Sequence, residues 1–273
     1  MTAPFNYKAA GRQTRRTITE MVIAAGRGHV GSAFSLVEML LVLYKRVLRV
    51  DAKNPHWADR DRLILSKGHG CMALYPILAD LGFFPKEQLN LYCKAKGILG
   101  GHPEHLKIPG VEASTGALGH GLSIGIGMAL AARLDGKSYR TYVIVGDGEC
   151  DEGSIWEGAL SAAKHKLSSL TVLVDYNKQQ SYGDVAAVLP LEPFTDKWRA
   201  FGFEVHEADM DYPSRLEEIL SRPPVDKPRV VICHTVKGKG ISFMERNLTW
   251  HHKGKLTPEE IAGIFKELES DDA

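Results

Sequence analysis

Two side chains in the middle of the chain have the types and spacing to hold a metal ion. Asp147 sits in a Gly146-Asp147-Gly148 turn and Asn177 follows thirty positions on. The stretch from Tyr142 to Lys178 reads as strand, tight turn, helix and a second strand ending in the asparagine. A parallel strand–helix–strand unit brings both residues to the carboxyl ends of neighbouring strands, where open α/β sheets bind ligands. A carboxylate and an amide oxygen are hard donors. An octahedral Mg²⁺ takes one or two such protein ligands and fills its other positions with phosphate oxygens, waters or backbone carbonyls. Glycines at 146 and 148 let the backbone approach a phosphate oxygen, and the helix that follows offers unpaired N–H groups and the positive end of its dipole. Together these features describe a metal–diphosphate cradle, whereas the Gly-Asp-Gly tripeptide alone is no more than a strand-to-helix turn.

Other segments must frame that cradle. Arg12 to Gly26 carries apolar residues at helical spacing and closes on glycine. GHVGSAFS then puts His29 on a loop ahead of a long buried helix, SLVEMLLVLYKRVLRV. Arg62 to Leu65 reads as a short strand, and SKGHGCMALYPILADLGFF as a glycine loop running into a helix. His69 stands at that junction, where a helix N-terminus lowers basicity and leaves a neutral donor for an anion. Gly97 to Gly127 is glycine-dense, a long loop crossing a ligand ahead of a closely packed helix. Its GxGxxG-like spacing lacks the preceding strand of a dinucleotide fingerprint. Beyond the cradle come PFTDKWRAFGFEVHEADM as helix and strand, YPSRLEEILSR as helix and PRVVICHTV as strand. The KGKG that follows fits an anion site at a strand's carboxyl end, although a solvated turn is the commoner origin of such a tetrapeptide. His251 and His252 precede a terminal helix whose N-cap, Thr257, forms a capping box with Glu260. The alternation of strands and helices, with no repeat or linker, predicts one domain over residues 1–273. Its fold class is α/β, a doubly wound, mostly parallel sheet with helices on both faces and a short N-terminal helical extension.

GDGECDEGSIWEGALSAA with its downstream asparagine resembles the thiamine diphosphate motif in its transketolase form. That resemblance implies a thiamin diphosphate-binding fold. It implies that Asp147, Asn177 and the backbone carbonyl of Gln179 hold Mg²⁺, for which Ca²⁺ or Mn²⁺ substitutes. It places Gly146 and the Gly148 N–H at the diphosphate, and makes Glu152 the glutamate that connects the two active sites of a dimer. GHxGxxxS is similar to the segment that sets a histidine, here His29, over the substrate. SKGHGCMALY implies His69 on the diphosphate, and GGHPE implies His102 on the substrate side. STGALGHGLS implies Gly116 and Leu118 against the aminopyrimidine and thiazolium, with His120 where many members have glutamine. Lys237 would border the diphosphate, and one of His251 and His252 would touch diphosphate and substrate.

The resemblance covers nearly the whole chain but only the first part of a full-length transketolase. The resemblance does not reach the family's pyrimidine-binding and C-terminal domains, nor the glutamate there that activates the cofactor. The implied protein is therefore the N-terminal subunit of a split transketolase. It would move a two-carbon ketol unit from a ketose (phosphate) to an aldose (phosphate), only with a C-terminal partner subunit carrying the pyrimidine-binding domain, as a heterotetramer of two copies each. Two alternatives are a subunit of a deoxyxylulose phosphate synthase-like enzyme or 2-oxo acid dehydrogenase α chain, and a non-catalytic, cofactor-binding regulatory subunit. Glu152 and the GHxGxxxS histidine weigh against the first.

Composition narrows the classes further. The 273 residues are 44% apolar and 25% charged, ordinary for a globular protein. With 34 basic and 33 acidic side chains, net charge is +1, which gives no electrostatic footprint for nucleic acid or an anionic membrane. Neither an apolar leader nor a membrane-length apolar run is present in the sequence. Cys71, Cys93, Cys150 and Cys233 form no CxxC pair, which fits a reducing, cytoplasmic setting. Cys150, between Glu149 and Asp151, reads as a spacer, since acidic neighbours disfavour a thiolate.

Overall fold

Apolar runs too short for helices pair into a single parallel sheet. In the computed structural model, which describes residues 5–251 and 253–270, the strands are β1 (Arg62–Leu65), β2 (Thr141–Gly146), β3 (Leu170–Tyr176), β4 (Glu204–Asp209) and β5 (Arg229–His234). Their order is β1-β2-β3-β5-β4. Val143 lies opposite Val172, which in turn faces Val230, so the three central strands share one register of branched residues. Both faces of those three strands are buried, as a parallel sheet covered by helices requires, whereas the edge strand β4 is fully buried only at Ala208.

Alternation along the strands sends side chains to two cores. Tyr142, Ile144, Leu173 and Val231 pack beneath α1 (Tyr7–Ala25), α2 (Val30–Phe34), α3 (Val37–Val42) and α4 (Cys71–Leu81). Val143, Val172, Val174 and Ile232 enter the second core, with α5 (Gly121–Leu134), α6 (Gly153–Lys164), α7 (Val185–Val188) and α8 (Phe194–Ala200). Two further helices, α9 (Pro213–Ser221) and α10 (Pro258–Glu269), join the first core through Leu216 and Ile264. The doubly wound architecture expected from the sequence is the one observed.

Helix ends follow local chemistry. Asn6 caps α1 by accepting the Ala9 N–H, and Gly26, at φ 65°, ends it by donating to Val22 O. Thr257 and Glu260 form the expected reciprocal capping box at the start of α10. Two expectations need correction. GHVGSAFS is not all loop, because Val30–Phe34 is already helical. The long run after it breaks at Ser35 and finishes in a π-helical turn, Leu43–Val47. From Val30 to Leu43 every side chain is buried, so there is no polar face from which a helix boundary could be read, and tertiary burial overrides the glycine and serine. The second correction lies at the cradle, where a 3₁₀ turn, Gly148–Asp151, intervenes before α6 begins at Gly153. Among the described residues no helix is long and apolar enough to cross a membrane.

Candidate active site

The segments that leave the carboxyl ends of β1, β2, β3 and β5 converge on one cavity of about 430 Å³, lined by His29, His69, Leu118, Asp147, Asn177 and Lys237 among others. Its floor is the turn after β3. Lys178, at φ 66°, turns its N–H onto Asp147 Oδ2 at 2.5 Å, which holds the carboxylate from the end of β2 against the turn that carries Asn177 and Gln179. Asn177 Oδ1 accepts the Gln179 N–H at 3.0 Å, while its Nδ2 donates to Asp175 Oδ2 at 3.2 Å, so its amide orientation is set from both sides. The Lys237 ammonium donates to the Gln179 carbonyl at 3.2 Å and the Gln180 carbonyl at 3.1 Å. A carboxylate, an amide oxygen and a backbone carbonyl that already attracts a cation form a hard donor set suited to Mg²⁺. Burial, and then the charge of Asp175, push the Asp147 carboxyl up to about 7. Burial and a neighbouring carboxylate both disfavour the charged form of an acid. Among the described residues no three His, Cys, Asp or Glu side chains cluster as a metal site; the donor set is recognisable only because amide and carbonyl oxygens count.

The Gly148 N–H, expected on the diphosphate, is here donated to Asp147 Oδ1 at 2.7 Å. With α6 starting five residues further on, its N-terminus is carried by Glu152 and Gly153 and not by the glycine turn itself. Glu152 is exposed at that helix start and Leu118 half-buried, and both line the cavity with Gly116 and Gly146.

Two buried groups beneath the cavity are not apparent from motif or spacing. Asp175 accepts from Lys67 Nζ at 2.5 Å, Ser35 Oγ at 2.7 Å and the Thr235 hydroxyl. Burial opposes its charge, but the Lys67 ammonium and these hydrogen bonds outweigh it and hold the carboxyl below the usual range. The signal for it is an aspartate in an otherwise apolar parallel strand, LTVLVDY, since buried charges are paired. Glu149 is the other. Its Oε1 accepts from the Ser66 hydroxyl and from the Gly119 N–H at 2.8 Å, and its Oε2 from the Gly146 N–H at 3.0 Å. One carboxylate thus staples three loops from different parts of the chain. Next to it Cys150 is buried and its thiol is pushed well up by burial, as a spacer would be.

Above the floor stand three imidazoles. Ring centroids of His29 and His69 are 5.5 Å apart, those of His29 and His251 5.9 Å, and those of His69 and His251 6.0 Å. His29 donates from Nδ1 to the His251 carbonyl at 3.2 Å, which fixes its tautomer. His69 is held well below ordinary histidine basicity, first by burial and then by the charge of Lys67 and its neighbours. Desolvation leads that shift. His102 does not join this trio. It is exposed, lines an adjoining cavity shared with His29, and packs against Gly116 of the first cavity, where a Cβ would meet the ring at 2.9 Å. Gly116, at φ 149°, is thus glycine for both backbone and space. His120 is exposed and donates to the Leu118 carbonyl at 2.9 Å, bracing that loop. His252 lies outside the described residues.

Comparison with known proteins gives the family. Residues 8–272 match the family described as transketolase, thiamine diphosphate binding domain, and the chain belongs to that family. It is 41% identical over 261 residues, 94% of this chain and 91% of the relative, to an apulose-4-phosphate transketolase subunit of Phocaeicola vulgatus. It is 42% identical over 264 residues, 95% of this chain and 94% of the relative, to the 6-deoxy-6-sulfo-D-fructose transketolase subunit SqwG of a Clostridium species. The solved transketolase of Leishmania mexicana superposes with a TM-score of 0.87 at 28% identity, over 98% of this chain but only 42% of that one.

Proposed function

We propose that this chain is the diphosphate-binding subunit of a two-chain transketolase that moves a two-carbon ketol unit between sugars. The observation that carries the reading is the Lys178 N–H on Asp147, which brings carboxylate, amide and carbonyl oxygens to one turn beneath three histidines. In this reading Asp147, Asn177 and the Gln179 carbonyl hold Mg²⁺, and Lys237, Gly146 and His69 border the diphosphate. Thiamine diphosphate, when bound, supplies the nucleophilic carbon for ketol transfer. Leu118 and Gly116 receive its rings and exclude water from one side. His69, neutral because it is buried among cations, donates a hydrogen bond without adding charge. His29, with Nδ1 committed to the His251 carbonyl, presents Nε2 to the substrate and exchanges a proton with its hydroxyl oxygen. His102 orients the substrate from the adjoining cavity. The remaining cofactor surface and the activating glutamate come from a C-terminal partner subunit with the pyrimidine-binding domain, in a cytoplasmic heterotetramer of two copies each, with Glu152 facing a second copy.

The test is ketol transfer by this chain alone and with a complementary subunit, on a panel of ketose donors and aldose acceptors. Transfer that needs both chains at equal stoichiometry is the expected result. Turnover by the single chain, or none by the pair, overturns the reading.

A further inference from the structure

Past His29 the site opens into a second basin of about 650 Å³, whose wall includes Arg27, Tyr92, Cys93, His102 and Lys255. Two of its lining residues are cations, two are histidines and none is a carboxylate. Nearby lysines are committed: Lys67 to Asp175, Lys239 to Asp211 and Lys253 to Glu260. Arg27 and Lys255 are exposed and, among the described residues, have no ion pair or hydrogen bond through their side chains.

Their backbones, by contrast, are clamped. Gly28, at φ 147°, sits so close to Met72 that a Cβ would lie 2.4 Å from its sulfur, and a Cβ on Gly254 would lie 2.6 Å from the Arg27 Cα. The loop after α1 and the loop before α10 therefore interlock, and they hold Arg27 and Lys255 on one rim. An arginine that merely solvates a surface needs no such constraint.

We infer that Arg27 and Lys255 form a subsite for the terminal tetrahedral oxyanion of the sugar substrate, a phosphate monoester or a sulfonate. The inference rests on the ketol-transfer reading for the identity of that substrate. His29 lines both cavities, so a sugar whose reacting carbon lies at the histidine trio extends outward past His102 to these two cations. Arginine offers a planar fork to paired oxygens and lysine a point charge to the third. This chain then contributes to substrate-charge recognition itself, in addition to whatever the partner supplies.

The test begins with the full chain saturated with thiamine diphosphate and Mg²⁺, so that the diphosphate site is filled. Methyl phosphate and methanesulfonate are titrated by calorimetry. At least one should bind, and Arg27→Met and Lys255→Met should each weaken it roughly tenfold with cofactor affinity moved less than twofold. The tighter ion assigns the group. Both side chains are exposed, so neither substitution enters the core. Binding of neither ion, or equal binding by wild type and both variants, overturns the subsite. With the partner present, KM for ribose 5-phosphate should rise at least tenfold more than KM for ribose. Ketol transfer with equal rises removes the subsite and leaves the enzymatic reading standing. Ion binding lost in the variants, in a pair that transfers nothing, removes the enzymatic reading and leaves the anion site.

Discussion

Lys67→Met is the sharpest probe of what lies beneath the cavity. The Lys67 and Asp175 side chains are 4% and 0% exposed, and their ammonium and carboxylate are 2.5 Å apart. Removing one partner of a buried pair costs about 3–5 kcal/mol, because the other charge is left behind. Asp175 keeps its hydrogen bonds from Ser35, Asn177 and Thr235, which places the expected loss at the lower end, about 3 kcal/mol. Adding Asp175→Asn removes the stranded charge and should recover roughly half of that loss. Urea unfolding measures both, as a shift in midpoint at constant slope. The pH dependence gives a second reading. In the wild type the Asp175 carboxyl is held below its usual range, so its contribution is present above the unfolded pKa and is lost only as pH falls through the lower folded value. In the variant burial dominates, the folded pKa rises, and protonation on acidification relieves the stranded charge. The deficit should therefore shrink between pH 8 and pH 5. A loss below about 1 kcal/mol, or one that is the same at both pH values and unrelieved by Asp175→Asn, would refute the reasoning.

Three further outcomes are expected. Asp147→Ala should abolish Mg²⁺-dependent retention of thiamine diphosphate while the chain stays folded; unchanged affinity in calorimetry would remove it from the donor set. In the metal-free chain Asp147 is raised from 3.8 to about 7, so the stability it contributes is full below the unfolded pKa and is lost as pH rises through 7. Asp147→Asn should flatten that decline, and parallel Tm-versus-pH curves for the two proteins would contradict it. His29→Ala and His102→Ala should lower kcat far more than cofactor affinity, and His69→Ala should do the reverse; equal effects on cofactor Kd would show that the division of roles is wrong.

Local rules make much of the frame legible in the amino-acid sequence. Arg62–Leu65 is a strand with the bounds its sequence predicts, and the capping box at Thr257 and Glu260 forms as written. Asp147 and Asn177 stand out because a period of strand, helix and strand dictates where their strands end. The helix at Val30 stays hidden because its signal is burial, which depends on partners far along the chain. Lys67 and Asp175 are 108 positions apart, and Ser66 and Glu149 83. Sequence spacing has no rule for such pairs, only the hint that a charge inside an apolar strand must be paired. His102 shows what motif resemblance leaves open: the path of the glycine loop carries it to the neighbouring cavity, which it shares with His29.

The Glu149 staple has a consequence for how the site can change over evolutionary time. The loops after β1, before α5 and at the end of β2 meet in two oxygen atoms of one residue. They are mechanically a single part. A drift in any one of them displaces the other two, so substitutions that reshape the cavity floor have to arrive in compatible sets. The rim bearing Arg27 and Lys255 hangs on a separate clamp and is free of that coupling. The chemistry of the floor can be inherited unchanged while the outer basin is altered one residue at a time.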